Sequence, residues 1–206
     1  PGFANITRSP YGCNIYLSKY DADGNYLWAK NIPIAASYGG NSMAIDGSNN
    51  IYLTGFFAGS NFDFDPGAGT VLLSSVSGSN DIYLAKYDCN GNYVWAKSIG
   101  STGDDRGNEV VTDAAGNVFL TGDFSLTVDF DPGIGVTNLT SSGSNDVFIA
   151  KYNSNGAYLW AKQIGGASGD DVRDIAIDNS GNIFLTGNYA GTADFDPCNG
   201  VVKYTS

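Results

Sequence analysis

Histidine is absent from this 206-residue chain, and Glu109 is its single glutamate. Histidine metal sites and histidine acid–base catalysis are therefore excluded. Basic residues are also few: 10 Lys and Arg stand against 21 Asp and Glu, and the formal net charge is −11. We expect no nucleic-acid partner, because phosphate binding needs a basic face. No run of about 18 apolar residues occurs, so we expect no membrane insertion.

The chain is rich in residues that form turns, with 28 glycines and many Asn, Ser and Thr residues. This composition is typical of short strands and poor for helices. One phrase with the pattern Tyr-x-Trp-Ala-Lys occurs three times, and its tryptophans are 67 and 65 residues apart. They are Trp28, Trp95 and Trp160. Repeats of this length indicate solenoids, propellers or arrays.

Three further phrases recur in the same order. They are Ile/Val-Tyr/Phe-Leu-Thr-Gly at 51–55, 118–122 and 183–187, Asp-Phe-Asp-Pro at 63–66, 129–132 and 194–197, and the Ile-Tyr-Leu-Ala-Lys-Tyr phrase at 82–87 with counterparts at 15–20 and 147–152. The whole chain, 1–206, is thus a single repeat array. Its units are about 1–65, 66–131 and 132–196, and 197–206 starts a fourth.

The sequence of each unit predicts four short strands, which we label A to D. It shows no sustained helical period. Strand A covers 42–46, 109–113 or 174–178, strand B is the Leu-Thr-Gly phrase, and a loop of roughly 20 residues carries Asp-Phe-Asp-Pro. Strand C is the Leu-Ala-Lys-Tyr phrase, and strand D carries the tryptophan. An Asp/Asn-x-x-Gly turn joins C to D, as expected for hairpins.

The strands do not alternate cleanly between apolar and polar residues, so both faces of each sheet can be buried. A half-solvated sheet would alternate, whereas small sheets stacked on both sides would not. Repeated four-stranded meanders of this kind are typical of a β-propeller. The predicted fold class is all-β, with propeller-type repeats of four-stranded antiparallel blades.

The phrase at 175–187, together with the Tyr-x-Trp-Ala-Lys strand, resembles the bacterial β-propeller repeat often called SBBP. The resemblance covers essentially the whole chain. It implies a large secreted or cell-surface protein, and many members of that family have no assigned chemistry.

The array starts at strand C and ends just after strand B. Three blades are too few for a usual ring of about four to eight. Three alternatives stay open: a fragment of a longer propeller, two chains that share a six-bladed ring, or an open fibre. In a mixed blade Cys13 and Cys198 would fall in the same B–C loop, so they are a candidate disulfide.

Residues that recur in every unit are expected to be architectural. The three tryptophans are predicted to pack between blades, the recurring lysines to pair with recurring aspartates, and Asp46, Asp113 and Asp178 to cap the A–B turns. The pairs Asp104/Asp105 and Asp170/Asp171 are expected in solvated loops.

The Asp-Phe-Asp-Pro loop is the best candidate for a binding site. Residues i and i+2 of an extended segment share a face, and paired carboxylates suit Ca²⁺. The candidate ligands are Asp63, Asp65, Asp129, Asp131, Asp194 and Asp196. The alternative is a plain turn in which Asp accepts main-chain N–H groups.

These patterns predict a protein that is not an enzyme, because every acidic pair occurs in equivalent copies. We expect an extracellular structural or adhesive scaffold that associates with itself. The alternative is a carbohydrate-binding propeller that uses loop aromatics such as Phe64 or Tyr189. No cofactor is expected other than the calcium ion considered above.

Overall fold

A computed structural model describes residues 13–36, 40–198 and 200–206, but not the side chains at 13 and 34–36. The described residues form eighteen β-strands and no helix. In chain order the strands are β1 (Cys13–Tyr20), β2 (Tyr26–Ala36), β3 (Gly40–Ile45), β4 (Ile51–Ala58), β5 (Phe62–Asp63), β6 (Leu72–Leu73), β7 (Asn80–Tyr87), β8 (Tyr93–Ile99), β9 (Arg106–Thr112), β10 (Val118–Phe124), β11 (Thr127–Asp129), β12 (Asn138–Thr140), β13 (Asp146–Tyr152), β14 (Tyr158–Gly166), β15 (Asp171–Ile177), β16 (Ile183–Asn188), β17 (Thr192–Asp194) and β18 (Lys203–Thr205).

Two antiparallel blades are complete and two are half-built. Blade 1 has the strand order β3-β4-β7-β8, and blade 2 has the order β9-β10-β13-β14. The first half-blade is the pair β1-β2, which supplies strands C and D, and the last half-blade is β15-β16, which supplies A and B. The predicted all-β fold with four-stranded antiparallel blades is confirmed.

Aspartate and glycine shape the tight turns, as the sequence predicts. At the A–B turn of blade 2, Asp113 Oδ1 accepts the main-chain N–H groups of Ala115 at 3.0 Å and Asn117 at 2.8 Å. Asp46 and Asp178 form the same pair of bonds in their units. Gly116 in this turn has a φ of 79°, which an L side chain rarely adopts.

The long B–C loops contain small hairpins that the sequence did not predict. In blade 2, Thr127–Asp129 pairs with Asn138–Thr140, and the equivalent hairpins elsewhere are β5-β6 and β17-β18. The third hairpin also joins strand D of blade 2, because Gly165 and Gly166 pair with Asp194 and Ala193. The Asp-Phe-Asp-Pro segment therefore begins at the last residue of the first strand of each hairpin.

Aromatic and aliphatic side chains fill the spaces between neighbouring sheets. One core cluster joins Ile82 and Ile99 of blade 1 to Phe124, Phe130 and Phe148 of blade 2. Strands β4, β7 and β10 are buried over almost their whole length on both faces. This pattern explains why their sequences do not alternate, because each central strand has a neighbouring sheet on each side.

The A strands lie side by side and are tied across the blade boundaries. Asn41 donates its side-chain amide to the oxygen of Gly107 at 2.8 Å, and Asn108 donates in the same way to Val172 at 3.2 Å.

Within the described ranges, no helix is long and apolar enough to cross a membrane.

Candidate interaction site at the open blade edges

Each Asp-Phe-Asp-Pro segment is a turn organised by its first aspartate. In blade 2, Asp129 Oδ1 accepts the N–H groups of Asp131 at 3.0 Å and Thr137 at 2.7 Å, and Asp131 in turn accepts the N–H of Gly133 at 2.8 Å. The same bonds recur at Asp63 and Asp65 and at Asp194 and Asp196. The carboxylates therefore act as main-chain acceptors, which is the plain-turn alternative.

In this geometry the aspartates hold the loop together through hydrogen bonds to the main chain, and no metal ion is required for that role. Among the described residues, no group of three or more acidic, cysteine or histidine side chains lies close enough together to hold a metal ion. Calcium binding by the six loop aspartates stays a prediction of the sequence, and a test of it is given in the Discussion.

The phenylalanine of the same motif holds the loop to strand C. Phe64 and Phe130 are fully buried, and their main-chain oxygens accept the hydroxyls of Tyr87 at 3.1 Å and Tyr152 at 2.9 Å. The carbohydrate-binding alternative named Phe64 as a loop aromatic, but its ring has no exposed surface and packs against Tyr83, so it offers no face to a sugar.

The tryptophans lie at the boundaries between sheets. Trp95 of blade 1 contacts Tyr52 and donates its indole N–H to the main-chain oxygen of Ser154, in the C–D turn of blade 2. Trp28 lies against Gly91, and Trp160 contacts Phe119 of its own blade. All three are half-buried.

The recurring lysines differ from expectation in their partners. Lys86 donates to the main-chain oxygen of Ser154 at 2.9 Å, and Lys19 donates in the same way to Cys89 at 3.4 Å. Only Lys151, among the lysines at this position, forms an ion pair with a recurring aspartate, Asp113, at 3.4 Å. Lys19 and Lys86 thus each bind the C–D turn of the next blade along the chain.

The expectation of two solvated acidic loops is wrong for one residue in each. Asp105 and Asp170 are 0% and 2% exposed. Asp105 accepts the N–H groups of Ser101 at 2.7 Å and Ser125 at 3.0 Å. It thereby ties the D–A loop to the end of strand B, so burial is offset by hydrogen bonds. Asp104 is exposed, as expected.

A second buried carboxylate belongs to the same region of each complete blade. Asp81 and Asp146 are 1% and 0% exposed, and in each the Oδ1 atom has no hydrogen-bond partner. Burial raises the pKa of Asp81 to about 6. Burial, with repulsion from Asp81, raises the pKa of Asp105 to about 7. These carboxyls make the stability of the fold depend on pH.

The last half-blade presents an open B strand. Strand β16 pairs with β15 alone among the described strands, whereas β4 and β10 each lie between two partners. Phe184 on β16 is 59% exposed, while its repeat equivalents Tyr52 and Phe119 are 0% and 2% exposed. The difference arises because no C strand in the described part of the chain covers this edge.

The first half-blade presents the complementary open C strand. Strand β1 pairs with β2 alone among the described strands. Tyr16 and Tyr20 on β1 are 68% and 56% exposed, whereas their equivalents in both complete blades are fully buried. Those equivalents are Tyr83, Tyr87, Phe148 and Tyr152. An unpaired edge with apolar side chains is a surface suited to strand pairing.

The structure describes the side chain of only one cysteine of the candidate disulfide. Cys198 is an exposed free thiol in the structure. The side chain of Cys13 lies outside the described residues, so the pairing stays a prediction.

Sequence reasoning missed the buried carboxylates and the open-edge aromatics as distinct features. A signal for the carboxylates was present: Asp81 and Asp146 recur at one position of the repeat, directly before the apolar run of strand C. An acidic residue next to a buried run marks a candidate buried acceptor.

The comparisons agree with this geometry. Residues 159–188, from strand D of blade 2 to strand B of the last half-blade, match the family described as "SBBP: Beta-propeller repeat". The predicted resemblance to this repeat family is therefore confirmed at residues 159–188.

Two curated relatives are similar over part of the chain. One is the "Uncharacterized WD repeat-containing protein L264" of Acanthamoeba polyphaga mimivirus, 30% identical over 54% of this chain and 9% of the relative. The other is the "Regulatory protein FlaEY" of Caulobacter vibrioides, 27% identical over 60% of this chain and 13% of the relative. The chain spans about a tenth of the length of these relatives. The matches to propeller repeats support a role in molecular interactions.

Proposed function

We propose that this chain is a structural scaffold module of an extracellular or cell-surface protein, which contacts other proteins and copies of itself and catalyses no reaction. The observation that carries the proposal is the way the blades stack. Strands β4, β7 and β10 are buried on both faces, and side chains such as Asn41 and Asn108 tie each blade to the next.

The uses of the recurring polar residues support a structural role. The aspartates of the tight turns and of the Asp-Phe-Asp-Pro loops accept main-chain N–H groups in every unit that the structure describes. A catalytic site needs one arrangement at one place, whereas these arrangements occur in copies.

The composition supports an exported location for the scaffold. A net charge of −11 keeps a protein soluble and limits non-specific association. The turn-rich, histidine-free sequence fits the secreted and surface proteins that the SBBP resemblance implies.

The proposal is tested by sedimentation velocity of the 206-residue chain over a wide concentration range, together with a glycan array. A scaffold of this kind gives a reversible increase in sedimentation coefficient with concentration and no saturable response to any sugar. A chain that stays monomeric and binds one sugar saturably would overturn the proposal in favour of a carbohydrate-binding propeller.

A further inference from the structure

We propose that a polar cleft in blade 2 binds a basic side chain of a partner protein between Asp104 and Asp123. The cleft lies where strand A begins and strand B ends, and its walls come from residues 104–145. This inference rests on the proposed function and specifies the chemistry of one contact with another protein.

The cleft is large enough for a side chain and is lined mainly by polar groups. Its volume is about 310 Å³, at the lower end of the range of ligand pockets. The described residues that line it are Asp104, Arg106, Asp123, Ser125, Ser144 and Asn145. Two of the three charged residues are acidic, so the lining carries a net negative charge.

This group of charges departs from the repeat. Strand B carries Asp123 here, but Phe56 and Asn188 at the equivalent positions of the other units. The residue opposite Asp123 on strand A is Arg106, where the last half-blade has Asp171. Residues that recur in every unit are architectural, whereas a set that occurs once and breaks the pattern indicates a function of its own.

Arg106 is held in place on three sides. Its guanidinium lies 3.6 Å from a carboxylate oxygen of Asp104 and 3.6 Å from one of Asp123. The same group lies 5.5 Å from the centre of the Phe56 ring of blade 1, within the range of a cation–π contact. The arginine is thus a fixed part of the wall, and its charge is already shared by two carboxylates.

The two carboxylates keep capacity to accept further hydrogen bonds. Asp104 Oδ1 accepts the side-chain amide of Asn80 at 3.0 Å, and Asp123 Oδ1 accepts that of Asn108 at 3.1 Å. The Oδ2 atoms lie 3.6 Å from Arg106, well beyond the roughly 2.7–2.9 Å of a charge-assisted hydrogen bond. The group that completes this site is therefore a hydrogen-bond donor.

The charge of Asp123 is incompletely compensated. Its side chain is 7% exposed, and burial raises its pKa in spite of the hydrogen bond from Asn108 and the charge of Arg106. Repulsion from Asp171 adds to the rise. A second cation beside Asp123 would stabilise its ionised form.

These features favour a cationic ligand over an anionic one. An anion would meet two carboxylates and a guanidinium that both already engage. The Asp104 side chain is 55% exposed, so an ammonium or guanidinium group can pass it and reach the buried Asp123. The oxygens of Ser144 and Asn145 are further acceptors in the lining. A net charge of −11 also attracts basic partners at long range.

The experiment is an NMR titration of the ¹⁵N-labelled 206-residue chain with short blocked peptides that carry one variable residue among glycines. The lysine and arginine peptides are the probes, and the acetyl-lysine peptide is the uncharged control. Saturable shifts of the amide signals of Arg106, Asp123 and Asn145 are expected with a basic peptide. The acetyl-lysine peptide is expected to bind at least about tenfold more weakly, because it loses the charged hydrogen bonds.

Three variants assign the effect to the cleft. Asp104→Asn keeps the bond from Asn80 and is expected to weaken binding severalfold, because it removes a charge at the entrance. Arg106→Gln is expected to strengthen binding, because it leaves both carboxylates to the ligand. Asp23→Asn, in the exposed C–D turn of the first half-blade, is the matched control and leaves binding unchanged. Unshifted signals outside the cleft report that each variant is folded.

The opposite results overturn the inference. Loss of binding in Arg106→Gln would make the arginine the recognising group and the ligand an anion. Tighter binding of putrescine than of the lysine peptide would assign the cleft to a free polyamine instead of a protein.

The failure of this inference is distinguishable from that of the proposed function. No localised shift at millimolar peptide, in a chain that still associates with itself in sedimentation, would refute the cleft and leave the scaffold proposal standing. A chain that neither binds the peptides nor associates at any concentration would refute both.

Discussion

Trp95 donates its indole N–H to the main-chain oxygen of Ser154, 3.3 Å away, and so joins strand D of blade 1 to the C–D turn of blade 2. Gly156 in that turn has a φ of 75°, and a β-carbon there would lie 3.2 Å from the indole ring. Trp28 and Gly91 repeat this contact one blade earlier. The turn glycine thus has two tasks: to adopt a left-handed conformation and to leave room for a tryptophan.

The two tasks are separable by substitution. Gly24 has a φ of 81° and nothing within 4 Å of an added β-carbon, whereas a β-carbon on Gly91 would meet the Trp28 ring at 2.9 Å. Gly24→Ala is expected to lower the free energy of unfolding by about 1 kcal/mol, the cost of the left-handed conformation. Gly91→Ala is expected to lose roughly 2–3 kcal/mol, because the indole must also move.

Urea unfolding followed by tryptophan fluorescence measures both values. Equal losses for the two variants would show that Trp28 moves aside at no cost and would contradict a role for this contact in blade packing.

The repeat made most of the fold predictable. The four strands of each unit, the Asp-capped A–B turn and the Gly-containing C–D turn all follow from local rules that Asp46, Asp113 and Gly91 obey. The blade arrangement follows from strands such as β7, whose two apolar faces need a neighbouring sheet on each side.

The burial of Asp105 was not predictable in the same way. Asp105 follows another aspartate in a Gly-Ser-rich loop, a pattern typical of solvated segments. Only the folded chain brings the N–H groups of Ser101 and Ser125 to its carboxylate. These groups come from two different loops, so the burial of Asp105 is a property of the tertiary structure.

The buried Asp81 predicts a specific pH dependence. Its pKa of about 6 in the folded state lies above the ordinary value of 3.8, because burial disfavours the charged form. Between these values the folded chain binds more protons than the unfolded chain, so this group lowers stability as pH rises from about 4 to 6. Asp81→Asn removes the effect and is expected to stabilise the fold by about 2 kcal/mol at pH 8 and hardly at all near pH 4.

The difference in unfolding free energy between variant and wild type, measured from pH 4 to pH 8, isolates this contribution. Turn aspartates such as Asp178 affect stability in the opposite direction, because hydrogen bonds from Asn182 lower the pKa of Asp178. This contribution is the same in wild type and variant, so it cancels in the difference between their unfolding free energies. The exposed Asp23→Asn is the control. A constant difference at all pH values would mean that Asp81 keeps an ordinary pKa.

The Asp-Phe-Asp-Pro loop offers a test between turn and calcium site. Asp129→Ala leaves the N–H groups of Asp131 and Thr137 without their acceptor and is expected to cost about 1–3 kcal/mol. Asp129→Asn keeps the accepting oxygen and is expected to lose less than half of that. Thermal unfolding of both variants, with and without EDTA, gives the values. A wild-type melting temperature that falls with EDTA, with no such fall in Asp129→Asn, would instead support calcium.

Two equivalent threonines differ in burial and so in their contribution to stability. Thr121 is fully buried and donates to the oxygen of Phe148 at 2.6 Å, whereas Thr186 is exposed. Thr121→Val is expected to cost about 1–2 kcal/mol of unfolding free energy, because a buried acceptor loses its donor. Thr186→Val is expected to change the unfolding free energy by less than about 0.5 kcal/mol. Urea denaturation of both variants gives the two values. Since both residues have the same place in the repeat, equal losses would mean that the buried hydroxyl of Thr121 contributes no more than an exposed one.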